Sequence, residues 1–210
     1  LLVAASDNFR SYRIGKTDYD LLLTGIGTTF TAFFLTQHLA AFSYALVLNA
    51  GIAGALVDHL HIGDVVNVVE EEFADLGIEK ENEFLTLFDS GFMQPDEFPF
   101  ENRMLRADGD HVAAFLPRVK GVTSNISHGR ESTISLLKDR FSASVESMEG
   151  AAVFYVCRWM GVPCLQIRAV SNLVAPRSQS RWDIPLALEN LKSTLMKVLQ
   201  EAGAKILRIW

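Results

Sequence analysis

Two carboxylates, Glu146 and Glu149, flank Ser147 and Met148 in the stretch SVESMEGAAVFYVC, residues 144–157. Counted from Met148, Ala151, Ala152, Tyr155, Val156 and Trp159 fall at helical spacing, the stripe of a helix buried along one face. Ser144 to Ser147 reads as a strand, and Gly150 keeps the first helical turn open to close approach. Glu149 therefore sits at a helix start delivered by a strand end, which is where α/β proteins hold ligands. A helix dipole favours an anion there by roughly 0.3–1 kcal/mol, so capping and ligand contact both account for it.

Three further strand ends carry chemistry of the same kind. LLLTGIGTTF places Gly25 and Gly27 between an apolar strand and a helix, where backbone N–H groups can meet an anion or a polar oxygen. The third glycine of a dinucleotide fingerprint is absent, because Phe30 stands at that position. LVLNAGIAGAL ends a strand at Asn49 and continues with Ala50, Gly51, Ala53 and Gly54. LQIRAVSNLVAPR brings Arg168, Ser171 and Asn172 out of an apolar run; Arg168 either pairs with an acid such as Glu146 or contacts a ligand. All four ends can converge on one edge of a sheet.

The elements that must position these residues follow from the pattern. Short apolar runs alternate with helical periods, which predicts an α/β fold with helices on the faces of a sheet. The predicted strands are Leu1 to Ala5, Asp20 to Thr24, Tyr44 to Asn49, Asp64 to Glu70, Gly121 to Ile126, Ser144 to Ser147 and Leu165 to Val170. The predicted helices are Thr29 to Phe42, with Phe30, Phe33 and Phe34 on one side, a second around Val153, and a third from Ile184 to Ile206. Residues 71–117, rich in Glu, Asp, Phe and Pro, read as a long functional loop. With no linker and no repeat, residues 1–210 form a single domain.

Composition narrows the partners. The chain is 49% apolar and 21% charged with a formal charge of −6 and no basic stripe, which argues against nucleic acid and for a small molecule. The apolar stretch from Tyr44 to Val57, interrupted by Asn49, is too short to cross a bilayer. Two cysteines in apolar context, Cys157 and Cys164, fit a reducing, cytoplasmic compartment. LLVAAS reads as a strand and lacks the charged start of a signal peptide, and the missing initial Met leads us to expect a trimmed start. His59, His61 and His128 have no metal-ligand spacing, so neither metal nor cofactor is expected.

The combination of TGIG, NAGIAGAL followed by IGDVV, VESMEGAA and RAVSN resembles the nucleoside phosphorylase and nucleosidase superfamily over nearly the whole chain. EEEFADLG and SNLVAPRSQSRWDIPLAL look most like the futalosine hydrolase branch, which acts in an alternative menaquinone pathway. The resemblance implies one domain with a mixed central sheet flanked by helices, a homodimer whose partner closes the pocket, and hydrolysis of an N-ribosyl bond that releases hypoxanthine. It also implies that Met148 packs on ribose and that Glu149 accepts from the sugar hydroxyls. Ser147 occupies a position that is acidic in the adenosine-type nucleosidases, and Gly25, Gly51, Ser171 and Arg168 line the substrate.

Asn172 stands where the methylthioadenosine nucleosidases have Asp. An Asp carboxyl protonates N7 of adenine and accepts from its amine, whereas hypoxanthine presents O6, an acceptor. An amide donates to either N7 or O6, so Asn suits a 6-oxopurine. Glu149 and Asn172 are thus the catalytic pair, one for the cationic sugar and one for the leaving base. The arginine with which the phosphorylases hold phosphate has no counterpart at Asn49-Ala50-Gly51 or Thr28-Thr29-Phe30, which makes water the nucleophile. The Glu that orients that water is expected in residues missing between Ser6 and Asn8, since only Ser6 and Asp7 stand there. Futalosine also carries a carboxyphenyl ketone; Arg177, Arg181, Arg103 or Arg106 are the cations available to it, and Phe73, Phe98 and Phe100 the rings. The alternatives are a methylthioadenosine or adenosylhomocysteine nucleosidase and a purine nucleoside phosphorylase.

Overall fold

The computed structural model describes residues 2–4, 9–14, 17–81 and 83–206. Strands β1 (Leu2–Ala4), β2 (Phe9–Ile14) and β3 (Thr17–Leu23) precede helix α1 (Thr28–Ala41). Then come β4 (Val47–Ala55), β5 (Val65–Phe73), a small hairpin of β6 (Gly77–Glu79) and β7 (Phe84–Thr86), and β8 (Leu105–Arg106). A 3-10 turn (Asp110–Ala113), β9 (Arg118–Thr123), α2 (Glu131–Arg140), β10 (Val145–Ser147), α3 (Gly150–Met160), β11 (Cys164–Leu173) and α4 (Ile184–Ile206) complete the chain.

Among the described residues, nine strands join in one mixed sheet of order β10-β9-β5-β11-β4-β1-β3-β2, with β8 on β5. β10 also pairs antiparallel with β4 (Val145 with Ala55, Glu146 with Gly54), so that β10, β9, β5, β11 and β4 close into a ring. Each of those five strands sends small or β-branched residues into one cluster: Ala53, Ala55, Val66, Val68, Val119, Val145 and Val170. Alternation along β4 and β11 divides the remaining core. Val47 and Cys164 pack with α1 and α3, while Leu48, Leu165, Ile167 and Ala169 pack with α4. The predicted mixed sheet with flanking helices is therefore the observed architecture.

The structure differs from the sequence reading at several elements. β4 does not end at Asn49 but runs to Ala55, because β11 and β10 pair with its small residues throughout. β11 likewise extends past Val170, with a bulge between Val170 and Asn172. Residues 71–117 are not one loop but the end of β5, the hairpin, β8 and the 3-10 turn. α2 escaped the sequence reading because its polar sequence ESTISLLKDR buries only Ile134 and Leu137. In α1 the buried stripe is Thr31, Leu35 and Leu39, and Phe30 and Phe33 face outward. The bounds of α4 match, with Asp183 accepting the Leu186 N–H at 3.0 Å as a cap.

Phe154 of α3 is fully buried between α1 and the sheet. We expect Phe154→Ala to destabilise the fold by about 3–5 kcal/mol, read as a lower urea midpoint, with Phe154→Leu losing less.

Candidate functional site

α3 begins without help from Glu149. The Gly150 N–H is received by Ser147 Oγ at 3.3 Å, and the Ala151 N–H by Thr123 Oγ1 at 2.8 Å. Glu149 occupies the N-cap position, yet its carboxylate makes no bond to its own helix. It reaches across instead to the glycine turn before α1, where Oε1 accepts the Gly27 N–H at 3.2 Å. That turn passes through Gly25 and Gly27 at φ of 85° and 93°, backbone that favours glycine. The α1 start is capped by a different group, Asn125 Oδ1, which accepts the N–H and hydroxyl of Thr28 at 2.9 and 2.8 Å.

The second oxygen of Glu149 faces Arg168, with Nη1 3.4 Å from Oε2. Arg168 is 3% exposed, and its Nε and Nη2 find no acceptor among the described residues. Gly51 makes room for it, since a Cβ there would stand 2.3 Å from Nη1. The partner of Arg168 is therefore Glu149 and not Glu146. Glu146 is buried beside His128, accepting its backbone N–H at 3.0 Å and lying 3.1 Å from Nδ1.

Asn172 follows the β11 bulge. Its Oδ1 lies 2.9 Å from the Ser171 hydroxyl, and its Nδ2 donates to Leu173 O at 3.3 Å. A second N–H of that amide is left for another acceptor. Gly54 is its neighbour on β4, where a Cβ would come within 3.1 Å of Nδ2.

One cavity of about 470 Å³ brings these groups together. Glu149, Asn172, Arg168, Ser171, Ser147, Met148 and Gly51 all line it, with Glu146, Trp182 and the α4 residues Leu188, Leu191 and Leu195. Gly25 is not on its wall, although Thr24 and Ile26 on either side of it are. Phe73 lines a separate cavity of about 150 Å³ and meets Tyr155 edge-on. Arg177 is not on the cavity wall; its guanidinium lies over the Trp182 ring, 5.9 Å from the centroid, and donates to Ser127 O at 3.1 Å. Arg103 and Arg106 are tied to Asp89 and Glu70, and Arg181 is exposed. Phe98 meets Trp159 edge-on and Phe100 is buried. Ser6 and Asp7, where the water-orienting Glu was expected, lie outside the described residues. Among the described residues no three His, Cys, Asp or Glu side chains gather as metal ligands, and no helix is long and apolar enough to cross a membrane.

One buried group had escaped the sequence reading. Glu71 of β5 is completely buried, accepting from Gln166 Nε2 at 2.7 Å and from Thr123 Oγ1 at 3.0 Å. Gln166 in turn receives Asn49 Nδ2 at 2.7 Å, and Asn49 lines the cavity. Burial pushes the Glu71 carboxyl up to about 7; Gln166, Arg168 and Thr123 pull it down, and Glu149 raises it further. The signals for it were Gly150 and Gly121, whose absent side chains make its space.

The chain is similar to known proteins over nearly its whole length. A profile described as the phosphorylase superfamily matches residues 3–209. Futalosine hydrolase of Streptomyces coelicolor is 32% identical over 198 residues, covering 91% of this chain and 81% of that one. Futalosine hydrolase of Thermus thermophilus is 32% identical over 197 residues, covering 89% and 84%. The chain belongs to the futalosine hydrolase family of the phosphorylase superfamily. Solved structures with the same fold include a methylthioadenosine/adenosylhomocysteine nucleosidase of Colwellia psychrerythraea in complex with adenine. Its TM-score is 0.74 at 17% identity, covering 95% of this chain and 93% of that one. Futalosine hydrolase of Helicobacter pylori has a TM-score of 0.72 at 19% identity, covering 95% and 96%.

In this member of the family, Glu71 has a consequence for stability. Its carboxyl is pushed up from 4.5 to about 7, so the folded state holds a proton that the unfolded chain has released. The associated stability is complete below about pH 4.5, falls as pH rises to about 7 and is flat above that. Relative to Glu71→Gln, the wild type should lose about 3 kcal/mol across that window, measured by urea unfolding at a series of pH values.

Proposed function

We propose that the cavity takes the nucleoside futalosine, and that the chain hydrolyses its N-glycosidic bond to hypoxanthine and dehypoxanthinyl futalosine. The observation that carries this reading is that Glu149 and Asn172 line the same cavity, whose volume suits a small ligand. The 32% identical relatives named futalosine hydrolase support the substrate.

In this reading Glu149 accepts from the ribose hydroxyls and stabilises the oxocarbenium-like sugar that forms as the base departs. Its charge is held in place by the Gly27 N–H and Arg168, which spares reorganisation during the reaction. Met148 packs on the sugar. Asn172, its carbonyl side fixed by Ser171, donates its free N–H to N7 or O6 of the leaving hypoxanthine. The apolar wall of Leu188, Leu191, Leu195 and Trp182 suits the aromatic tail. Arg177, placed over Trp182, is our assignment for the cation that meets the tail's carboxylate.

Water is the nucleophile in this scheme. Arg168 is the cation that the fold brings to the cavity wall, and Glu149 already faces it, so phosphate would enter against a carboxylate. We also propose a cytoplasmic homodimer acting in the alternative menaquinone pathway. Ile26, Phe30 and Phe33 are more than half exposed around the turn that lines the cavity, a surface suited to a second copy.

Incubation with futalosine, with and without phosphate, tests the reaction. Hypoxanthine should appear at a rate independent of phosphate; a phosphate requirement, or release of adenine from methylthioadenosine with futalosine untouched, would overturn it. Glu149→Gln should lower kcat/KM by roughly 10²–10³ while leaving the fold intact. Asn172→Asp should depress hydrolysis of the 6-oxopurine nucleoside, and an unchanged rate would remove Asn172 from the mechanism.

A further inference from the structure

Glu71 is a buried acid that the scheme above does not use. It sits beneath the start of α3, in a space cleared by two glycines: a Cβ on Gly150 would come 2.1 Å from its Oε1, and one on Gly121 2.6 Å. Gly150 brings nothing as a helix former, and the space it leaves beside Glu71 is what its missing side chain provides. The donors that hold the carboxyl, Gln166 and Thr123, are both neutral. Each has a second duty toward the cavity. Gln166 orients Asn49, and Thr123 receives the Ala151 N–H that sets the start of α3, two residues after Glu149.

The neighbours of Glu71 can be named strand by strand. β11 presents Gln166 and Arg168, β9 presents Gly121 and Thr123, β8 presents Leu105, and the α3 start presents Glu149 and Gly150. The charged members are therefore Arg168 and Glu149, the ion pair of the cavity itself.

We propose that Glu71 is a positioning residue that acts through its proton: neutral, it leaves Arg168 to Glu149, and ionised, it competes for Arg168 and repels Glu149. The assignment rests on Glu149 being the sugar-stabilising anion. With the proton on, the bond to Thr123 reverses: Glu71 accepts from Gln166 and donates to Thr123 Oγ1, the oxygen that also receives the Ala151 N–H. With the proton lost, a second buried anion lies beside the pair, and Arg168, whose Nε and Nη2 have no acceptor among the described residues, is the cation that its charge attracts.

Two measurements test this. The first is the pH profile of kcat/KM on futalosine for the wild type and for Glu71→Gln, whose amide reproduces the bonding of the neutral acid. The wild type should lose activity above about pH 7, and Glu71→Gln should stay level through that point. The second needs no substrate: the Arg168 Nε–H resonance, assigned by its loss in Arg168→Lys, should shift with pH near neutrality in the wild type and stay constant in Glu71→Gln. Identical profiles in the two proteins, or a wild-type Arg168 resonance that does not respond to pH, would overturn the proposal. If futalosine is not cleaved at all, the functional reading fails, and the resonance still decides whether Glu71 governs the pair. Because the wild-type titration requires no variant of Glu71, the outcome does not depend on how well Glu71→Gln folds.

Discussion

The arrangement depends on a carboxylate relieved of its usual local duty. An acid at a helix start ordinarily caps the first turn, and its charge is then spent on the N–H groups of its own helix. Here Ser147 and Thr123 satisfy those groups, and Glu149 extends to Gly27 on one side and Arg168 on the other. Its charge is thus held by a backbone dipole and a cation from separate elements. A group fixed in this way is oriented before any ligand arrives, which is the condition for electrostatic stabilisation of a developing positive charge.

Closure of the sheet brings the elements together. Because β10 pairs with both β9 and β4, the strand that carries Glu146 and Ser147 lies against the glycine-bearing half of β4, and α3 begins where β10 ends. The ring interior is filled by alanines and valines, whose small volumes let five strands close without a void that larger side chains would need to fill. Polar side chains lie within these strands, Asn49 on β4, Glu71 on β5, Gln166 and Arg168 on β11, and the alternation of β11 is broken by its bulge just before Asn172.

The parts of this site that depend on local chemistry were legible in the amino-acid order. A carboxylate at a helix start, glycines after apolar strands and an amide after RAVS identify themselves within a few residues, and they meet at one cavity except for Gly25 and Gly27. The parts that depend on distant partners were not. Asn49-Ala50-Gly51 looks like a turn until β11 and β10 supply the bonds that keep it extended. Glu71, in a run of three glutamates, looks like a solvated charge until Gln166 and Thr123 surround it. Phe73 reads as a pocket ring by residue type, and tertiary packing directs it toward Tyr155. α2 lacks the periodicity of a core helix because only two of its side chains are buried.

The fit between Gly51 and Arg168 bears on how such a site can change over generations. A Cβ at residue 51 would force the guanidinium to shift from its place against Glu149, and a shorter residue at 168 would leave a hole beside Glu149. Each substitution alone is harmful, while the two together exchange one filled volume for another. Lineages that altered the nucleophile or the sugar would have to cross that valley by paired replacement, so the two positions should be inherited as a unit.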